Sequence, residues 1–175
     1  MKINDKAPDF KLIGTDDQEH SLEDSKDKKV LVVIFTCNHC PYVKAYEDRL
    51  IAIQNDYKDK GVQLVGINSN DEKTHPDDNF ENMKKRVEEK GFNFPYLRDE
   101  TQEVAKAYGG ERTPHIFVFD EERKLRYTGR IDDNWEHPEQ VTKKDLREAL
   151  DALVEGKEVP NPETHAIGCT IKWKQ

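Results

Sequence analysis

The sequence has few cysteines, no long apolar run and no excess of positive charge, and each absence excludes a class of protein. Three cysteines in 175 residues are too few for a disulfide scaffold, and their odd number leaves at least one unpaired within the chain. The longest apolar run, residues 30–35, is far shorter than the ~20 residues that a membrane helix needs. We therefore expect a globular protein without a membrane span.

The charge balance is acidic. The chain has 36 Asp and Glu against 28 Lys and Arg, which gives a formal net charge of −8. The nearest approach to a basic cluster is KDKK at residues 26–29, and a solvated turn before a strand explains it. Because no Lys/Arg cluster stands clear of acidic neighbours, we expect neither nucleic acid nor a membrane as a partner.

The first residues, MKINDKAPDF, contain no apolar stretch of the signal-peptide type. If the chain begins natively at Met1, a cytoplasmic location is expected. In that reducing compartment, a closely spaced cysteine pair is expected to be catalytic or metal-binding, because permanent disulfides are rare there.

Strand-like and helix-like apolar patterns alternate along the chain. Strands are predicted at residues 11–13, 20–22, 30–35, 62–67, 116–119 and 125–128, and helices at 41–60, 80–90, 104–108 and 146–153. This order predicts an α/β three-layer sandwich, with a central mixed sheet, helices on both faces and an added N-terminal hairpin. We expect a single domain over residues 1–175, with an N-terminal extension (1–29) and a docked C-terminal tail (157–175).

Cys37 and Cys40 lie between the strand-like residues 30–35 and the helix that begins at Pro41. Their spacing lets the two sulfurs face each other at the start of a helix, where they can form and break a disulfide. Free N–H groups and the helix dipole stabilise a thiolate there. We expect Cys37 to be the exposed, low-pKa sulfur at the N-cap, and Cys40 to lie one turn deeper and resolve the mixed disulfide.

His39 lies between the two cysteines. In its charged form it can stabilise the Cys37 thiolate, and therefore the dithiol form, which makes the pair more oxidising. The alternative is a solvated loop histidine with no effect on the thiols. We expect the redox-tuning role.

Four segments between residues 6 and 131 resemble the redoxin group of the thioredoxin fold. The group includes the alkyl-hydroperoxide-reductase/thiol-specific-antioxidant (AhpC/TSA) proteins and the membrane-anchored or periplasmic thiol–disulfide oxidoreductases of the TlpA/ResA type. The segments are KAPDFKL (6–12), VVIFTCNHC (32–40), VAKAYG followed by TPHIFVFD (104–109 and 113–120), and GRI (129–131).

This resemblance implies a thioredoxin-like fold and a thiol–disulfide oxidoreductase that needs no cofactor. The implied partners are a disulfide-containing protein or small-molecule substrate and a dithiol reductant. The resemblance also implies a cis bond between Thr113 and Pro114, beside Cys37, where the backbone would pair with an extended substrate segment. Without the resemblance, a trans proline at the start of a strand would be expected.

The sequence departs from the group at four positions. Its peroxidases have Thr or Ser three residues before the cysteine and Pro seven before it, where this chain has Ile34 and Val30. A thiol peroxidase with Cys37 as the peroxidatic cysteine is therefore the alternative function and not the first one. Thioredoxins have Trp and an acidic residue at the places of Thr36 and Leu31, so the sequence identifies no general base.

Cys169 lies in AIGCTIKW (166–173), an apolar patch near the end of a polar tail. We expect this tail to dock on the body of the protein with Trp173 as an anchor. Docking could carry Cys169 to the active site, as a further resolving thiol or as a partner of Cys37. The alternative is a small apolar residue that fills a docking groove.

A Cys/His carrier of copper or zinc is the alternative from another class of function. Cys37, His39 and Cys40 are suitable ligands, and His115, His165 or the third cysteine could complete a site. Copper-delivery relatives of this fold use paired cysteines and a histidine. Because the chain has no second Cys-x-x-Cys or His pair, we expect no metal. The sequence does not indicate the oligomeric state.

Overall fold

The computed structural model describes residues 1–175, which form four α-helices, nine strands and four short 3₁₀ turns. The helices are α1 (Pro41–Tyr57), α2 (Phe80–Lys90), α3 (Glu103–Tyr108) and α4 (Asp145–Val154). The strands are β1 (Lys11–Gly14), β2 (Glu19–Ser21), β3 (Val30–Thr36), β4 (Val62–Asn68), β5 (Tyr96–Arg98), β6 (Arg112–Thr113), β7 (His115–Phe119), β8 (Leu125–Gly129) and β9 (Cys169–Thr170). The 3₁₀ turns are Leu22–Ser25, Lys58–Lys60, Pro76–Asp78 and Pro138–Gln140.

Seven strands form one mixed sheet in the order β2-β1-β5-β4-β3-β7-β8. The neighbours β3, β4 and β5 are parallel, and the other pairs are antiparallel. The predicted α/β architecture is confirmed. The N-terminal hairpin is not a separate addition to it, because β1 pairs with β5 and extends the main sheet.

β3 is the central strand, and all of its residues are buried. Its side chains alternate between two apolar clusters, as the period of a strand requires. Val32 and Ile34 pack with α1 and α4 on one face of the sheet. Val33 and Phe35 pack with α3 on the other face, where Tyr108 meets Phe35 edge to face. Burial on both faces explains the uninterrupted apolar run in the sequence.

Two ion pairs hold α1, the helix that follows the cysteines. Arg86 Nε on α2 donates to Glu47 Oε2 at 2.9 Å, and Glu47 is 1% exposed. On the opposite side, Arg49 Nη1 donates to Asp132 Oδ2 at 2.9 Å, while the Tyr46 hydroxyl donates to Asp132 Oδ1 at 2.7 Å. The position of the helix N-terminus is therefore set from two directions.

The strand β5 was not predicted from the sequence. It has three residues and follows Pro95 directly, so it is too short to show an alternating pattern. Its place in the sheet comes from parallel pairing with β4, where Ile67 lies opposite Leu97. The two-residue strands β6 and β9, which form a small second sheet, escaped prediction for the same reason.

The C-terminal tail contacts the body along much of its length. The amide of Thr128 donates to the carbonyl of Pro162, and β9 pairs with β6. The residue that anchors the end of the tail is Ile171, which is 3% exposed and packs in the cluster beneath α3. The expectation that Trp173 is the anchor is wrong, because its side chain is 39% exposed.

None of the helices combines the length and the apolar content that crossing a membrane requires.

The burial of β3 predicts that replacing two isoleucines of the same sheet by alanine has very different effects on stability. Ile34 is fully buried and Ile13 on β1 is 39% exposed. Ile34→Ala should lower the free energy of unfolding by about 2–5 kcal/mol, because it leaves a cavity among fixed neighbours. Ile13→Ala, the matched control, should lower it by less than about 1 kcal/mol. Urea denaturation measures both, and equal losses would contradict the described core.

Candidate active site

The two closely spaced cysteines lie where β3 ends and α1 begins. Cys37 follows the last residue of β3, and Cys40 is the N-cap of α1 with Pro41 at the first helical position. Both are free thiols, and they are 2% and 0% exposed. They form a small cluster with Val43 on the first turn of the helix.

The expected position and exposure of Cys37 are wrong. Cys37 is neither exposed nor at the N-cap, because Pro41 starts the helix and the residue before it, Cys40, takes that place. The N-terminal N–H groups and the helix dipole therefore act first on Cys40.

The pKa values of the two thiols are shifted in opposite directions, since the pair shares a proton. A hydrogen bond from Cys37 lowers the pKa of Cys40 to about 4, against the effect of burial, and the Cys169 thiol and the amide of Val43 contribute to the lowering. The same bond with Cys40 raises the pKa of Cys37, as do burial and the negative charge of Asp78. The thiolate is therefore favoured on Cys40.

A buried polar network holds the residues between the cysteines. The amide of Asn38 donates to Asp78 Oδ1 at 2.7 Å, and the Tyr96 hydroxyl donates to Asn38 Oδ1 at 2.7 Å. The side-chain amides of Asn68 and Asn70 donate to the Asp78 carboxylate at 3.2 and 3.0 Å. Asp78 is completely buried, so these donors replace the water that its charge requires.

No sequence pattern indicated this network. Asn68 ends β4 opposite Thr36, the last residue of β3, and parallel neighbours end at the same edge of a sheet. That signal could have placed Asn68 near the cysteines. Asp78 lies in a 3₁₀ turn before α2, and no sequence pattern distinguishes it from the other acidic residues of the loop.

His39 faces Asp78 and not open solvent. Its Nδ1 lies 2.7 Å from Asp78 Oδ2, and its ring stacks on that of His75 at 5.6 Å. Its side chain is 28% exposed. The ligating atoms of Cys37, His39 and Asp78 all lie within 4.8 Å of one another, so a charged imidazole would be close to the Asp78 carboxylate and to the Cys37 sulfur.

The Thr113–Pro114 bond is cis, the geometry that the family resemblance implies. Thr113 contacts both cysteines: its Oγ1 lies 3.6 Å from Cys37 Sγ, and its carbonyl oxygen lies 3.5 Å from Cys40 Sγ. Its backbone is already paired, however, because Thr113 lies opposite Cys169 in the β6–β9 ladder. The chain's own tail thus occupies the edge expected for substrate.

Cys169 contacts the cysteine pair at Cys40. The two sulfurs are 2.7 Å apart, and Cys169 is half-buried. The sequence suggested Cys37 as a partner, but the contact is with Cys40. Burial, the hydrogen bond to Cys40 and the negative charge of Cys40 raise the pKa of Cys169 to about 11.

The histidines considered as further metal ligands lie outside the thiol cluster. His115 Nδ1 accepts from the amide of Glu111, and its Nε2 contacts the Thr128 hydroxyl. Burial lowers the pKa of His115 to about 4. His165 is exposed on the tail. A metal would therefore have to be held by Cys37, His39 and Asp78, a set that includes a carboxylate the sequence did not indicate.

Comparison with known proteins gives the family. The protein-family model described as Redoxin matches residues 2–150. The chain belongs to the Redoxin family. A crystal structure of an uncharacterized conserved protein from Geobacillus kaustophilus resembles this redoxin with a TM-score of 0.94 and 47% identity, over 99% of this chain and 93% of that chain.

Two curated relatives carry named activities. Thiol-disulfide oxidoreductase ResA of Geobacillus thermodenitrificans is 27% identical over 157 residues, which cover 87% of this redoxin and 79% of the relative. Putative peroxiredoxin bcp of Helicobacter pylori is 28% identical over 112 residues, 62% of this redoxin and 68% of the relative. The predicted redoxin group, thioredoxin-like fold and oxidoreductase class are confirmed.

The proximity of Asp78 to Cys37 predicts how the Cys37 thiol titrates. Asp78→Asn removes a negative charge that disfavours the thiolate, so the pKa of Cys37 should fall by on the order of one unit. The measurement is the pH dependence of the Cys37 Cβ chemical shift in ¹³C-cysteine-labelled protein, in a Cys40→Ser/Cys169→Ser background.

Asp77→Asn is the matched control, because Asp77 is the exposed neighbour of Asp78. Its variant should titrate like the parent. An Asp78→Asn midpoint that is unchanged, or that moves to higher pH, would show that this carboxylate does not act on Cys37.

Proposed function

We propose that this redoxin is a thiol–disulfide oxidoreductase in which Cys37 and Cys40 alternate between a dithiol and a disulfide. One observation carries the proposal: two free thiols lie together at the start of α1, next to the cis Thr113–Pro114 bond. The activity named for the ResA relative supports it. The two sulfurs carry both electrons, so the reaction needs no cofactor.

In the reducing direction, a thiolate of the pair attacks one sulfur of a substrate disulfide, and the other substrate sulfur leaves as a thiolate that takes up a proton. The second thiol of the pair then attacks the mixed disulfide. This step releases the substrate and leaves the Cys37–Cys40 disulfide. A dithiol reductant returns the enzyme to its starting state. The substrate is a protein or small molecule that contains a disulfide.

The N-cap position of Cys40 favours a thiolate on that sulfur, whereas the sequence led us to expect the first attack from Cys37. The hydrogen bond between the two thiols lowers the pKa of Cys40 and raises that of Cys37. Because Cys40 is completely buried, a protein substrate must displace β9 to reach it. The closeness of His39 to Cys37 and Asp78 supports a role for this residue in tuning the potential of the pair.

A redox titration tests this function. In a glutathione buffer of varied potential, metal-free protein should pass through a reversible two-electron transition, and its midpoint says whether the enzyme acts as a reductant or an oxidant. Cys40→Ser should abolish the intramolecular transition, because Cys40 is the sulfur in contact with both other thiols.

Metal content measured on the same sample separates the two classes of function. Stoichiometric zinc or copper, with thiols that stay reduced across the whole range, would rule out the oxidoreductase and favour a metal carrier built on Cys37, His39 and Asp78. The cytoplasmic location stays a prediction.

A thiol peroxidase is the second candidate, and one contact favours it. The Thr113 hydroxyl lies 3.6 Å from Cys37 Sγ, so Cys37 has a hydroxyl neighbour although Ile34 stands where the family's peroxidases have Thr or Ser. In this reaction Cys37 attacks a peroxide, giving a sulfenic acid and water or an alcohol, and Cys40 condenses with the acid to release water. The peroxiredoxin relative carries that activity in its name.

Peroxide consumption with a dithiol reductant distinguishes the two activities. We expect the chain to reduce insulin disulfides readily and peroxide slowly, with little effect of Thr113→Val on the peroxide rate. Thr128→Val on β8 is the matched control, because its hydroxyl bonds to the Ile116 carbonyl. A fast peroxide reaction that Thr113→Val alone abolishes would make the peroxidase the main function.

A further inference from the structure

The tail holds a third thiol against the cysteine pair. Cys169 Sγ lies 2.7 Å from Cys40 Sγ, compared with about 2.05 Å in a disulfide bond. Disulfides exchange when a thiolate attacks one sulfur of an existing bond. Cys169 is therefore within reach of one sulfur of the pair without any movement of the main chain.

The backbone around Cys169 fits the site closely. β9 runs antiparallel to β6, with Cys169 opposite Thr113. At Gly168, a Cβ atom would lie 2.1 Å from the Thr113 carbonyl oxygen. Only glycine allows the tail to come this near to the strand that precedes Pro114.

Contacts beyond β9 fix the position of the tail. The amide of Lys172 donates to Asn70 Oδ1 at 2.9 Å. Its carbonyl accepts from the amide of Asp71 at 2.8 Å and from Gln102 Nε2 at 2.9 Å. Together with the buried side chain of Ile171, these bonds place Cys169 at a defined point beside Cys40.

We propose that Cys169 is a third redox thiol, which takes the disulfide over from Cys37 and Cys40; this rests on the proposed redox activity of that pair. The Cys169 thiolate attacks Cys40 Sγ of the Cys37–Cys40 disulfide. The Cys40–Cys169 bond forms as the Cys37–Cys40 bond breaks, and Cys37 leaves as a thiolate that takes up the proton lost by Cys169. The exchange is internal, so it requires no oxidant or reductant.

Charge makes this step follow the oxidation of the pair. In the reduced protein, the hydrogen bond to Cys40 and its negative charge add to the effect of burial in raising the pKa of Cys169. Both contributions disappear once Cys40 is in a disulfide. Cys169 then becomes a better nucleophile at the moment when there is a disulfide to attack.

The exchange moves the disulfide towards the surface of the protein. Cys37 and Cys40 are almost completely buried, whereas Cys169 is half-buried on a tail segment. A dithiol reductant has access to Cys169 while β9 stays paired. The tail thus acts as an internal substrate strand on the edge of β6.

Disulfide mapping of wild-type protein tests the proposal. Protein poised in glutathione buffers is quenched in acid, alkylated, digested and examined by mass spectrometry. Free thiols should fall from three to one, and peptides linked through Cys40 and Cys169 should appear together with those linked through Cys37 and Cys40, in a ratio that does not change with the potential because the exchange is internal. If two thiols are lost and only the Cys37–Cys40 link is found at every potential, the proposal for Cys169 is wrong and the proposed function stands. Thiols that never oxidise overturn the proposed function, and this proposal with it.

Two variants that keep all three cysteines test the role of the tail. Gly168→Ala keeps all three cysteines but forces β9 away from Thr113, so the Cys40–Cys169 link should be lost and the Cys37–Cys40 link retained. Thr170→Ala, which changes an exposed side chain of β9, is the control and should map like wild type. A Gly168→Ala protein that forms the Cys40–Cys169 link at the wild-type level contradicts the role of the tail.

Cys37→Ser provides a check that does not depend on displacing the tail. Its two remaining thiols should fall to none, within the monomer, in the same glutathione buffers. If they stay reduced, or link only between molecules, the contact between Cys40 and Cys169 does not support exchange and the proposal is wrong.

Discussion

Burial of β3 on both faces is the constraint on which the site depends. A strand that is apolar on both sides must lie in the middle of the sheet, with β4 parallel to it on one side and β7 antiparallel on the other. The end of β3, the end of β4 and the start of β7 then meet at one edge. This brings together Cys37, Asn68 and the cis Thr113–Pro114 bond, which are far apart in the sequence.

That edge is both buried and polar, and the chemistry follows from the combination. Buried thiols and a buried carboxylate lose hydration, so they must be satisfied by one another and by amide and hydroxyl donors. Asn38 and Asp78 are fixed in this way. The same neighbours shift the pKa values of the two thiols in opposite directions. Asp78 disfavours a charge on Cys37, and the helix N-terminus favours one on Cys40.

The Redoxin family model spans residues 2–150, which include the cysteine pair and the cis Thr113–Pro114 bond, and the tail that carries Cys169 lies beyond it. The edge of β6 that would receive an extended substrate is paired with β9. A protein substrate and the tail therefore compete for one edge, and the tail brings a sulfur with it. Access of a substrate to Cys40 and access of Cys169 to Cys40 are two outcomes of the same competition.

The amino-acid sequence was enough to predict the α/β architecture, the family and the cysteine pair, because apolar periodicity and the Cys-x-x-Cys spacing are local. It also placed Cys169 near the site as one of two alternatives. Tertiary structure alone decided that Cys40 and not Cys37 is the N-cap, that Asp78 faces the thiols, that Ile171 and not Trp173 anchors the tail, and that Cys169 meets Cys40. Each of these depends on contacts between segments distant in the chain, which no local pattern records.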